Sequence, residues 1–138
     1  MEEAVEEKAK EILSRIGMEA FEKEYAGNLP YGRQKVLELG RALMGDPRLI
    51  LLDEPAAGLN PSERAEFVEI LKNVYESGID LFLIEHNMDV VMNISHRITV
   101  LNFGRQIAEG TPQEIANNET VIKAYLGDRF SEGKNRRE

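Results

Sequence analysis

Two short apolar runs set the frame for the whole chain. Residues 49–52 (Leu-Ile-Leu-Leu) and 81–84 (Leu-Phe-Leu-Ile) are each too short for a helix, and breakers bound them, Pro47 ahead of the first and Gly78 ahead of the second. A continuous apolar run of this kind, without alternation, reads as a strand buried on both faces, as in a parallel sheet. Between the runs, Asn60-Pro61-Ser62-Glu63 offers an N-cap acceptor, a proline at the first helical position and a glutamate able to reach back. A helix from there to Ser77 completes a strand, helix, strand unit, whose crossover is expected to be right-handed. Both runs lead straight into polar chemistry: Asp53 and Glu54 follow the first, and Glu85, His86 and Asn87 follow the second.

The rest of the chain organises around this unit. Residues 2–16 read as an amphipathic helix, with Val5, Ala9, Ile12, Leu13 and Ile16 on one face, stopped by Gly17. After an irregular segment, residues 18–32, a second helix is expected over 33–44, burying Val36, Leu37, Leu39 and Leu43 and closed by Gly45 and Pro47. Beyond the second strand come a short helix over 89–93, a strand over 97–101, the turn Asn102-Phe103-Gly104-Arg105 and a returning strand over 106–109. Thr111-Pro112-Gln113-Glu114 repeats the cap, proline, glutamate pattern and opens a helix, 121–126 forms another, and 131–138 is a polar tail. The chain has no internal repeats.

Charge narrows the partners. With 17 basic and 25 acidic residues, a net charge of -8 argues against nucleic acid or an anionic membrane surface as the main partner. The absence of cysteine removes disulfides and thiolate metal sites. The opening MEEAVEEKAKE is charged throughout, unlike a signal peptide, and no window approaches the roughly 18 apolar residues of a membrane span. Any service to a membrane is therefore expected from outside the bilayer. A length of 138 residues suits about one domain and is small for a complete nucleotide-handling enzyme.

In a parallel sheet flanked by helices, ligands gather beyond the carboxyl ends of the strands. A carboxylate at such an end, here Asp53, is suited to Mg²⁺, a hard cation that keeps several waters and needs only one or two protein carboxylates besides phosphate oxygens. The next acid, Glu54, can face the water that attacks a γ-phosphate, as general base or orienting acceptor. Taken singly, the acidic pair also suits a solvated turn, and His86 a hydrogen-bonded structural role. Together, at the two strand ends of one unit, they point to a nucleotide site.

These residues carry a resemblance. LILLDEP, residues 49–55, resembles the Walker B segment of ATP-binding cassette transporter ATPases. AAGLNP, residues 56–61, resembles their D-loop, and LPYGRQ, residues 29–34, stands where their signature motif stands, ahead of the helix ending in Arg41-Ala42-Leu43. His86 falls at the place of the family's switch histidine. Within the family, LDEPAAGLNP, IEHNMDVVM and GTPQEIANNETVIKAYLGD are most similar to the ATPase subunits of branched-chain amino acid importers, with lipopolysaccharide-export and urea-importer ATPases as near relatives.

The resemblance implies an α/β fold: part of a P-loop NTPase (RecA-like) parallel sheet with flanking helices, part of the helical signature subdomain, and a C-terminal hairpin with helices. It assigns residues 1–45 to the signature subdomain, 46–130 to the C-terminal part of the ATPase core and 131–138 to the tail. ATP and Mg²⁺ are implied as cofactors, in a site completed by a second ATPase subunit packed head to tail. Tyr31, Gly32, Arg33, Gln34 and Asn60 are implied at the nucleotide across that interface, Asp53 at the metal, and Glu54 and His86 in catalysis. Gly32 and Arg33 are expected at a helix N-terminus, whose open N–H groups favour a γ-phosphate. Transmembrane permease subunits are the implied further partners, with the chain cytoplasmic and peripheral on the inner face of the cell membrane.

Three residues depart from the family pattern. Pro30 replaces the usual serine and offers neither hydroxyl nor N–H, Tyr31 replaces the first of two glycines, and Arg33 stands where glutamine is common. A larger departure is that no G-x-x-x-x-G-K-[ST] occurs; the one Gly-Lys pair, Gly133-Lys134, has the wrong spacing and lies in the tail. The expectation is a C-terminal portion of an importer ATPase, inactive alone, with an apolar strand edge at 81–84 prone to self-association. The competing expectation is a non-catalytic truncated module that binds or regulates a full ATPase subunit.

Overall fold

A computed structural model describes residues 1–126. By contacts the chain forms two compact units, divided between Val90 and Val91.

In the first unit, α1 (Glu2–Arg15) is followed by two 3₁₀ turns, Glu19–Phe21 and Ala26–Asn28, and then α2 (Tyr31–Leu43). Helix α2 starts two residues ahead of the expected Arg33, because Pro30 serves as its N-cap: with φ -54° and ψ 148° it sits in extended backbone, and the chain turns helical at Tyr31. Ile12 and Ile16 of the α1 segment are buried, while Val5 is exposed, so the apolar stripe works only in its C-terminal half. Gly40 lets the two helices approach: a Cβ there would lie 2.8 Å from Ile16 Cδ1. On α2, Val36, Leu39 and Leu43 are buried as expected, and Leu37 is half-buried.

Strands β1 (Leu49–Asp53) and β2 (Asp80–Ile84) pair in parallel, with Leu51 opposite Phe82 and Asp53 opposite Ile84. Helix α3 (Pro61–Glu76) connects them, and Phe67, Val68, Leu71 and Val74 line its buried side. Its start follows the sequence signals with one difference. Asn60 Oδ1 accepts from Glu63 N–H at 2.9 Å, but the Glu63 carboxylate returns to the Asn60 side-chain amide rather than to the backbone.

The expectation that both strands are buried on both faces is corrected. Ile50 is buried, but Leu49, Leu51, Phe82 and Ile84 are exposed, Leu51 at 70% and Phe82 at 58%. An apolar side chain states a preference for burial, and the neighbour that would satisfy it on this face is not among the described residues. Because partners in the register share a face, the four form one continuous apolar surface.

In the second unit, β3 (Ile98–Asn102) and β4 (Arg105–Gly110) form an antiparallel hairpin with a bulge after Val100. Positive φ at both Phe103 and Gly104 matches the right-handed twist of a two-residue hairpin turn. Thr111 caps α5 (Pro112–Ala116) with a full capping box to Glu114. Ile98, Ile115 and Val121 of α6 (Glu119–Val121) make the core of this unit, and the Tyr125 hydroxyl, in the π-helical turn Ile122–Leu126, donates to the Leu101 carbonyl. Helix α4 (Met88–Ile94) runs across the boundary between the units. The polar tail and Gly133-Lys134 lie outside the described residues.

Candidate nucleotide site at the strand ends

The ends of β1 and β2 are held in register past the last ladder pair, because Glu54 N–H donates to the Ile84 carbonyl at 2.7 Å. The chain then leaves β1 through Glu54 in the left-handed region, φ 45°. A side chain there is sterically disfavoured at a cost of about 1–3 kcal/mol, and such residues persist where surrounding bonds fix them. The conformation turns the Glu54 carboxylate toward β2, where Oε1 lies 3.0 Å from His86 Nδ1. A carboxylate only accepts, so this contact needs an imidazole proton on Nδ1. Both side chains remain open to solvent, His86 at 69%.

One member of the site was not singled out from the sequence. The Glu85 side chain is 1% exposed, and its two oxygens divide their work. Oε1 accepts from the N–H groups of His86 (3.0 Å) and Asn87 (3.2 Å), and Oε2 accepts from Ala56 N–H at 3.3 Å. The signal was present: like Asp53 and Glu54, Glu85 is an acid directly after an apolar strand.

The segment expected to meet nucleotide lies at the start of α2 and is bonded to the turn after β1. The Tyr31 hydroxyl donates to the Ala57 carbonyl at 3.2 Å, and its ring covers Gly58, where a Cβ would lie 2.9 Å from Cε1. Gly32 faces the Glu63 carboxylate so closely that a Cβ would lie 2.5 Å from Oε2. The expectation of an open N–H at Arg33 is corrected: it donates to the Pro30 carbonyl at 2.9 Å, and by helix geometry the open donors are one turn position earlier, at Tyr31 and Gly32. The Arg33 guanidinium stacks 5.4 Å from the Phe21 ring and pairs with Glu66 at 3.9 Å, and Gln34 Nε2 turns back to the Leu29 carbonyl at 3.0 Å. Asn60 is engaged as the α3 cap.

Asp53 closes β1 with an exposed carboxylate. Among the described residues no group of three or more acidic, histidine or cysteine side chains could hold a metal by itself. One or two carboxylates at a strand end fit a hydrated divalent cation that takes its remaining ligands from water and phosphate, as Mg²⁺ does, and do not fit a zinc or calcium cage.

Known proteins resemble this chain in both sequence and fold. A family model described as ABC transporter matches residues 1–57, and one described as branched-chain amino acid ATP-binding cassette transporter matches residues 105–131. The high-affinity branched-chain amino acid transport ATP-binding protein LivG of Salmonella typhimurium is 49% identical over 119 residues, covering 84% of this chain and 46% of that protein. In sequence and in fold the chain is similar to the ATP-binding cassette ATPases. BraF of Pseudomonas aeruginosa, also a high-affinity branched-chain amino acid transport ATP-binding protein, is 44% identical over 117 residues, with 84% of this chain and 46% of that protein covered. Among solved cassettes, the ADP conformation of MJ1267, an ATP-binding cassette of an ABC transporter, superposes with a TM-score of 0.82 at 32% identity over 90% of this chain and 50% of that one. A nucleotide-free cassette superposes with a TM-score of 0.80 at 31% identity, covering 89% and 50%. The chain thus spans about half the length of the curated ATP-binding cassette relatives it matches. No helix among the described residues is long and apolar enough to cross a membrane.

Proposed function

We propose that this chain is the Walker B, D-loop and switch-histidine portion of the ATP-binding subunit of a branched-chain amino acid importer, and that it turns over ATP as part of a completed dimeric site. The observation that carries the reading is the 3.0 Å contact between Glu54 and His86 at neighbouring strand ends. Glu54 accepts a proton from, or orients, the attacking water; His86 donates through Nδ1–H to Glu54, and it can donate to the γ-phosphate as well only when Nε2 also carries a proton. Asp53 is the residue that would hold Mg²⁺, which on binding neutralises charge on the β- and γ-phosphate oxygens. The N–H groups of Tyr31 and Gly32, with Arg33, Gln34 and Asn60 around them, belong to the face that closes on the nucleotide of a second, head-to-tail subunit. Residues 1–45 then form part of the signature subdomain, residues 46–130 the C-terminal part of the core, and residues 131–138 a tail. Permease subunits are the membrane partners, with the ATPase on the cytoplasmic face. The substrate assignment is supported by the names and identities of LivG and BraF.

A second reading, a module that binds or regulates a full subunit without turnover, is favoured by one observation. No phosphate-loop motif occurs in the 138 residues, and such loops supply backbone N–H groups and a lysine to the phosphates. Mixing the chain with a segment that carries a phosphate-binding loop, and following phosphate release, separates the two. Turnover that disappears in Glu54→Gln supports the enzyme; association without turnover supports the module.

A further inference from the structure

We propose that Glu85 is a positioning residue that locks the turn after β1 to the turn after β2, and thereby holds Glu54 and His86 within contact distance. For its catalytic meaning the proposal rests on the ATPase reading above.

Three observations carry it. First, the side chain is almost wholly buried, at 1% exposure, although it carries a carboxylate. Burying such a group is costly unless hydrogen bonds compensate it, and here three backbone N–H groups do. Second, the bonds are split between the two turns. Oε2 takes Ala56 N–H, two residues after Glu54, while Oε1 takes the N–H of His86 itself and of Asn87. Third, both reacting side chains depend on backbone that these bonds fix. Glu54 sits in a left-handed conformation that needs external restraint; its own backbone bonds are the N–H donated to Ile84, the residue before Glu85, and the carbonyl that accepts from Ala57 N–H. The carboxylate is thus a clamp between strand ends, distinct from the side chains that face the ligand.

The chemistry of the pair of oxygens makes the proposal testable by a substitution that changes almost no volume. In Glu85→Gln one acceptor must serve two positions, and the amide NH₂ meets N–H donors at the other. At least one side of the clamp then breaks. The experiment is NMR on the chain itself without nucleotide, reading amide hydrogen exchange and the ring ¹⁵N signals of His86. In Glu85→Gln, either Ala56 or the His86 and Asn87 pair should exchange at least about tenfold faster relative to the Leu71 core amide. The His86 ring should lose its preference for the Nδ1–H tautomer, since the Glu54 contact enforces it. Glu85→Asp, which keeps charge but is one methylene too short to span both turns, should show the same pattern. Should neither variant fold, the parent chain still decides: the amides of Ala56, His86 and Asn87 must be protected well beyond amides of open turns. Unprotected parent amides, uniform acceleration across the core, or an unchanged His86 ring would each overturn the proposal. In a completed ATPase, Glu85→Gln should lower kcat with KM for ATP unchanged. Failure of the completed enzyme to turn over at all would count against the ATPase reading and leave the NMR result standing.

Discussion

Glu54 Oε1 meets His86 Nδ1 at 3.0 Å although 32 positions separate them in sequence. The parallel register brings them together: Asp53 pairs with Ile84, and each side chain leaves its strand within two residues of that pair. Removing the carboxylate charge should therefore affect the imidazole as well. Glu54→Gln is expected to reduce phosphate release in a completed cassette by about 10²–10⁴-fold, the usual contribution of a general base. Assaying turnover at saturating ATP checks this.

The contact between Tyr31 and the turn after β1 makes a stability prediction. Gly58 has φ 79° and no room for a Cβ beside the Tyr31 ring, so Gly58→Ala should cost about 1–2 kcal/mol. Tyr31→Phe keeps the ring and loses only a half-exposed hydroxyl bond to Ala57, and should cost below about 1 kcal/mol. Urea denaturation of both variants gives the comparison, and equal losses would speak against the packing.

Phe103 offers the opposite sign. It is 98% exposed and has φ 48° in the hairpin turn, a position that suits Asn or Gly. Phe103→Asn is expected to stabilise the chain by about 1 kcal/mol, and Phe103→Val to destabilise it, read from the shift in thermal midpoint.

The bare face formed by Leu49, Leu51, Phe82 and Ile84 should drive self-association. Sedimentation should show concentration-dependent assembly of the parent chain and a loss of it in the Leu51→Lys, Phe82→Lys double variant. A parent chain monomeric at every concentration would remove that prediction.

Much of this was legible in the sequence because local rules decided it. The two apolar runs gave the strands, and Asn60 and Thr111 gave helix starts. What was not legible depended on neighbours. Leu51 and Phe82 read as core, yet their exposure turns on what packs against them. Glu85 read as one more strand-end acid, because only the fold brings Ala56 within reach of its second oxygen. The start of α2 moved two residues because the extended backbone of Pro30 let helical geometry begin at Tyr31.

The central claim is that Glu54 and His86 act as one unit on a triphosphate, and a double-mutant cycle tests it most directly. In a completed cassette, phosphate release should be measured for Glu54→Gln, His86→Ala and the two combined. Strong non-additivity is expected, with the double variant no slower than the slower single variant. Losses that simply multiply, or a His86→Ala variant with parental turnover, would contradict it.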